Sequence, residues 1–156
     1  MKKQIIKTEK VLAAYNILNA AKYTKLDDVD KVKVWKIART LKPIATKFDE
    51  DSKDAAEKMK PEGFGDNLAK AQEYERVTKD ADADTSKLQM GASEYSKFIE
   101  ELKKYNKLVS DAVREFADKE VEVEFELLSE EAFGRLMASN EWTMEQTVEI
   151  GMLIVE

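Results

Sequence analysis

The residues best placed to do chemistry in this chain are carboxylates. In VEVEFELL, residues 121–128, glutamate alternates with valine, phenylalanine and leucine. Glu122, Glu124 and Glu126, with Glu120 ahead of them, therefore share one face of a strand, and Val121, Val123, Phe125 and Leu127 share the other. A row of carboxylates has three uses: to hold a divalent cation, to mimic a phosphate backbone, or to meet a basic partner. A calcium or magnesium site needs oxygens converging from several directions. Alternate strand positions stand about 6.6 Å apart with parallel side chains, a geometry that suits a solvated outer face whose charge discourages edge-to-edge association. No metal is expected there.

A second group, Asp80-Ala81-Asp82-Ala83-Asp84-Thr85-Ser86, opens like a calcium loop, with oxygens at its first, third and fifth positions. The sixth position should be glycine for the sharp turn and is Thr85; the twelfth should be a bidentate glutamate and is Gly91. The segment is read as a solvated polar tip, flexible over about residues 80–92. Pro61-Glu62-Gly63-Phe64-Gly65-Asp66 has two glycines but neither the Lys-Ser/Thr of a phosphate-binding loop nor the third glycine of a dinucleotide turn. It reads as a turn between helices, with Phe64 packing back into the core.

The residue types that are missing narrow the chemistry further. The 156-residue chain has no cysteine and no histidine. Disulfides, thiolate nucleophiles, sulfur-ligated metals, imidazole ligands and the Ser-His and Cys-His dyads are all absent with them. Carboxylate, lysine or tyrosine chemistry remains open, so a carboxylate- and metal-dependent enzyme is one alternative reading, but the expectation is a non-enzymatic protein with no cofactor.

Charge is unevenly placed: residues 1–43 hold 11 Lys/Arg against 4 Asp/Glu, and residues 120–156 hold 1 Arg against 10 Glu, within an overall net of −6. The two ends are expected to lie together and neutralise each other. The basic third has one arginine, Arg39, whereas base reading and phosphate clamping favour arginine. Nucleic acid is therefore not the expected partner. No run of 18 apolar residues occurs, so no membrane span is expected, and MKKQIIKTEK lacks the apolar stretch of a signal peptide; a cytoplasmic location is the expectation.

The elements that must carry these residues are mostly helical. Gln4-Ile5-Ile6-Lys7 reads as a strand, with Thr8 as cap of a helix from Glu9 to about Lys22. Asp27 or Asp28 caps a long second helix, in which Val34, Ile37, Leu41, Ile44 and Phe48 form a heptad seam flanked by a half-buried Trp35. Pro43 lies inside it and predicts a kink or break. Phe64 to about Lys79 forms a third helix. Ser93 caps a fourth of about 26 residues, with a seam through Tyr95, Phe98, Leu102, Tyr105, Val109, Ala112 and Phe116.

A lone strand is unstable, so residues 121–127 need KKQIIKT as a partner, with lysines across from glutamates and Ile5 or Ile6 beside valines. Ser129 and Thr143 cap two short closing helices, the second with capping-box spacing to Gln146. The expected fold is mainly α: one domain, an antiparallel helical bundle or long helical hairpin, with a small two-stranded β-ribbon joining the N-terminal strand to residues 121–127.

Three segments, KTEKVLAAYNILNAAKYTKL, KVWKIARTLKPIATKFDEDSKDAAEKMKP and VEVEFELLSEEAFGRLMASNEWT, together resemble small phage- or prophage-encoded helical proteins of unknown function. The resemblance implies a viral context and carries over no catalytic or binding positions. With it, the expected role is a protein-protein interaction module, a phage accessory or assembly protein. The partner would be another protein or a second copy in a homo-oligomer, since heptad seams serve either arrangement. The candidate contact residues are Trp142, beside the cap Thr143, the terminal apolar run Ile150, Met152, Leu153 and Ile154, and the acidic row Glu122, Glu124 and Glu126. An acidic inhibitor that occupies a basic nucleic-acid-binding site is the other alternative.

Overall fold

The computed structural model describes residues 1–156 and is mainly α, with six helices and one two-stranded antiparallel sheet. Its contacts gather in two compact units, residues 1–51 with 114–156 and residues 52–113.

In the first unit, β1 (Lys2–Lys7) pairs antiparallel with β2 (Glu120–Phe125), with Lys3 opposite Glu124, Lys7 opposite Glu120 and Ile6 opposite Val121. Val123 and Phe125 point into the core, while Ile5, opposite Glu122, is left on the outer face. The strand stops at Phe125 rather than continuing to Leu127, because its partner has run out: Lys2 already faces Phe125. Leu128, not Leu127, is then fully buried, and its backbone bridges in parallel to Val155 through Leu128 N–H to the Ile154 carbonyl at 2.7 Å and Glu156 N–H to the Leu128 carbonyl at 3.0 Å. Glu126 therefore leaves the row.

Helix α1 spans Thr8–Asn19, beginning one residue before the expected start and ending three before the expected end, and Thr8 does not cap it. The Thr8 hydroxyl and amide both donate to the Lys119 carbonyl, at 2.8 Å each, tying the start of α1 to the residue before β2. Asp27 caps α2 (Asp28–Met59) by accepting from the Asp30 amide at 2.8 Å. That helix continues through Pro43 without a break: Pro43 is exposed, so the carbonyl it leaves unpaired, that of Arg39, is on the solvated side. Val34, Ile37 and Leu41 are buried as the seam predicts. Helices α5 (Glu130–Ala138) and α6 (Met144–Ile154) close the unit. Ser129 accepts from the Ala132 amide at 3.1 Å, and Thr143 and Gln146 exchange the two bonds of a capping box, at 3.0 and 3.2 Å. Val11 and Leu18 of α1, Phe133 and Leu136 of α5, and Ile150 and Ile154 of α6 complete one core with the residues of α2 and β2.

The second unit contains the last turns of α2, α3 (Phe64–Thr78), a 3-10 turn (Thr85–Lys87) and residues 92–113 of α4 (Ala92–Asp118). Gly63 has φ 69°, a left-handed conformation that glycine adopts without strain, and it turns the chain so that Phe64 meets Tyr105 at 4.9 Å and Phe98 at 6.0 Å between ring centroids. Tyr105 donates to the Ala56 carbonyl at 2.8 Å. Ser93 is not the cap of α4. The helix begins at Ala92, two residues before such a cap would start it, where the Tyr95 amide donates to the Gly91 carbonyl at 2.9 Å, leaving Ser93 exposed in its first turn. The polar tip also has more structure than its composition suggests: Asp84 caps the 3-10 turn, and Met90 is buried with Ala71 and Phe98.

Candidate interaction surface

The charge asymmetry between the chain's ends is resolved inside the first unit. Lys3 reaches Glu122 at 3.3 Å, Lys10 reaches Glu149 at 3.6 Å, and Lys33 reaches Glu126 at 3.3 Å, each pair joining the basic N-terminal third to the acidic C-terminal segment. The outer face of the ribbon thus sets Lys3, Ile5 and Lys7 against Glu124, Glu122 and Glu120 rather than presenting a bare acidic strip. Glu122 and Glu124 remain exposed on it, and Glu126 sits beyond its end beside α2. Exposed pairs of this kind contribute about 0–1 kcal/mol each, so they fix register more than they stabilise.

One pair is better shielded. Arg135 donates to Asp30 at 2.8 Å, with the Asp30 side chain 12% exposed, and lies 3.5 Å from Glu131. The Asp30 bond, followed by the charges of Glu131 and Asp30, raises the guanidinium above its ordinary range. The pair links the first turn of α2 to α5, and both partners are taken up by that structural contact. No three acidic side chains anywhere come close enough together to hold a metal ion. The Asp80–Asp84 segment spends its oxygens locally: Asp80 accepts from the Asp82 amide at 3.1 Å, and Asp84 accepts from the amide and hydroxyl of Ser86 at 2.9 and 2.6 Å.

Trp142 is half-buried. Its ring lies 6.2 Å from Phe133, and the residue also lines an open groove of about 640 Å³ with Ile17 and Ala20 of α1 and Asn140. The groove is shaped by a clasp that the sequence did not reveal. Asn140 accepts from the Lys22 amide at 2.7 Å and donates to the Lys22 carbonyl at 2.9 Å, while Ser139 accepts from the Lys25 amide at 3.0 Å. Together they pin the α1–α2 connector to the end of α5. A carboxamide carries both donor and acceptor for such a reciprocal contact, but the backbone it meets is 118 residues away, so no local pattern announces it. Here the aromatic is a wall of a groove and also packs against the core.

The terminal apolar run is divided by the helix itself. Ile150, Leu153 and Ile154 are buried and form core, so these three are not available as a contact patch in the folded chain. Met152 is 82% exposed, and with Met144 at 78% and Val148 at 51% it forms a stripe at i, i+4, i+8 on the outer side of α6. A second stripe lies on α2. Val29, Val32 and Trp35 are exposed at 67%, 48% and 54%, contrary to the expected half-burial of Trp35, and the Arg39 guanidinium covers the indole at 5.2 Å. The residue follows Val34 on the helix and so points away from the seam that is buried.

No family model, no curated protein and no solved structure matches this chain. The reading of its surface therefore rests on the geometry above. Neither stripe was singled out by sequence reasoning as a unit. The signal that could have found them is a second apolar periodicity on a helix whose inner face is already occupied.

Proposed function

We propose that the chain is a non-enzymatic protein-interaction module, an accessory or assembly protein of a phage, that docks through the outer faces of α2 and α6. The observation that carries the reading is the tryptophan at position 35: a large aromatic, more than half exposed, set among Val29 and Val32 on a helix whose opposite face is fully packed. Tryptophan and arginine are the residue types that most often anchor interfaces, and Arg39 already lies over this ring. A chain without histidine or cysteine supports docking over turnover, and the segmental resemblance to phage-encoded helical proteins supports the setting. Because lysines interleave the carboxylates of β2, the apolar faces are favoured over the acidic strand as the docking surface.

The test is photo-crosslinking from positions Lys36 and Glu145, each beside one stripe, in the native host, with a control position on the outer face of the ribbon. Discrete crosslinked species from Lys36 or Glu145 that vanish on Trp35→Ala or Val148→Ala substitution are expected. Crosslinking no stronger than from the control position would overturn the proposal.

A further inference from the structure

The two exposed stripes differ in charge as well as in place. On α2, Val29, Val32 and Trp35 are accompanied by Lys36, Arg39 and Lys42, none of which forms an ion pair. On α6, Met144, Val148 and Met152 are accompanied by Glu145, and Glu141 is exposed in the turn that leads into the helix; neither forms an ion pair. At about 1.5 Å of rise per residue, the first apolar stripe runs about 9 Å and the second about 12 Å. Both belong to the first unit and both face solvent. Each is an amphipathic helix surface whose charge complements that of the other, and flexible methionines adapt readily to a flat aromatic anchor.

We infer that the outer face of α6 in one copy of the chain docks on the outer face of α2 in a second copy. The inference rests on the docking role proposed above and names its partner. Because the two faces are different surfaces, the contact is heterologous, and every associated pair still presents one free α2 face and one free α6 face. Assembly then continues beyond the dimer, either to a closed ring or to an open chain. A symmetric contact of one stripe with itself would bring like charges together, Lys36, Arg39 and Lys42 in one case or Glu145 in the other, which is unfavourable.

Analytical ultracentrifugation of the full chain, across concentration and salt, tests this. The wild-type chain is expected to form species larger than a dimer as concentration rises, with association weakening as salt is added. Trp35→Asp and Val148→Asp, both at exposed positions, should each be monomeric with unchanged far-ultraviolet circular dichroism, their dissociation constants raised by about thirtyfold or more. Mixed together, they should form 1:1 dimers and stop there, because the mixture contains one intact α2 face and one intact α6 face per pair. Arg39→Glu provides a milder variant with the same expected direction. A wild-type chain that stays monomeric approaching about 1 mM, a mixture that stays monomeric, or variants that assemble as the wild type does would each overturn the inference. If the wild-type chain is monomeric but Lys36 still crosslinks a different protein, the docking role stands and the second copy as its occupant is wrong.

Discussion

Leu41 and Leu102 occupy equivalent places in the apolar seams of α2 and α4, yet Leu41 has no exposed surface and Leu102 is only half-buried. The difference extends to the whole of each unit. In the first, residues from α1, α2, β2, α5 and α6 converge on one core in which most members are fully covered. In the second, buried apolar residues are few: Ala71, Met90 and Phe98 form one cluster, Ala55 and Val77 are buried apart from it, and the remaining apolar side chains of the α4 seam, from Tyr95 to Val109, are partly open. The α4 seam is the longer of the two in sequence. Periodicity therefore reports which side of a helix is apolar, while depth of burial depends on how many layers close over it.

Truncation at the two leucines measures that difference directly. Leu41→Ala is expected to cost about 3–5 kcal/mol, the upper range for a leucine whose cavity cannot collapse, and Leu102→Ala about half as much. Trp35 and Trp142 both lie in the first unit, so indole fluorescence in a urea titration follows that unit, while circular dichroism follows all helices. Leu41→Ala should shift the fluorescence midpoint strongly. Leu102→Ala should move only the early part of the dichroism curve and leave fluorescence almost in place. Coincident curves with equal shifts from both variants would show that the two cores act as one cooperative structure.

Much of the fold was readable because its determinants are local. The glutamate strand alternates and needed a partner, which the lysine-rich N-terminal segment alone could supply; the capping box at Thr143 and the cap at Ser129 are fixed by three-residue spacing. The surface was read less well because exposure is a property of the assembled unit. The terminal run places Ile150, Leu153 and Ile154 on one side of α6 and Met152 on the other, and nothing within five residues says which side is covered. Trp35 could have faced either way until the position of the buried seam was known. Glu126 was assigned to the acidic row because alternation continues through it, whereas the partner strand ends opposite Phe125. The Asn140 clasp joins side chain to backbone across most of the sequence.

A smaller effect comes from two glycines in the helices that close the first unit. A Cβ at Gly134 in α5 would meet nothing within 4 Å, whereas one at Gly151 in α6 would lie 3.2 Å from the Phe133 ring. Alanine is favoured over glycine in a helix interior by about 1 kcal/mol. Gly134→Ala should therefore raise the fluorescence midpoint by an amount corresponding to about 0.5–1 kcal/mol. At Gly151 the same gain is opposed by displacement of Phe133, whose ring also supports Trp142. Gly151→Ala should gain less than Gly134→Ala or lose stability, and it should shift the emission of Trp142. Equal stabilisation from both substitutions would mean that Phe133 has room to move, and that the well-covered core is looser there than its burial implies.

The smallest effect separates the polar fastenings of the two units by pH. In the first unit the Ser139 and Asn140 clasp uses an uncharged hydroxyl and carboxamide, so its bonds do not titrate. In the second unit the 3-10 turn leading towards Met90 is capped by Asp84, whose carboxylate is held below its ordinary range by the hydroxyl, and then the amide, of Ser86. A carboxylate depressed in the folded chain contributes stability that is present above its unfolded value and lost as pH falls through its folded one. The Ser86 amide resonance should therefore titrate with a midpoint below that of an unstructured aspartate, while the Lys22 and Lys25 amides stay unchanged over the same range. Asp84→Asn, which keeps an acceptor oxygen without the titrating charge, should remove the Ser86 transition and leave Met90 buried. A Ser86 midpoint at the unstructured value would show that the cap is too weakly populated to order the turn. In that case the cluster of Met90, Ala71 and Phe98 would hold its cover without help from the Asp84 cap.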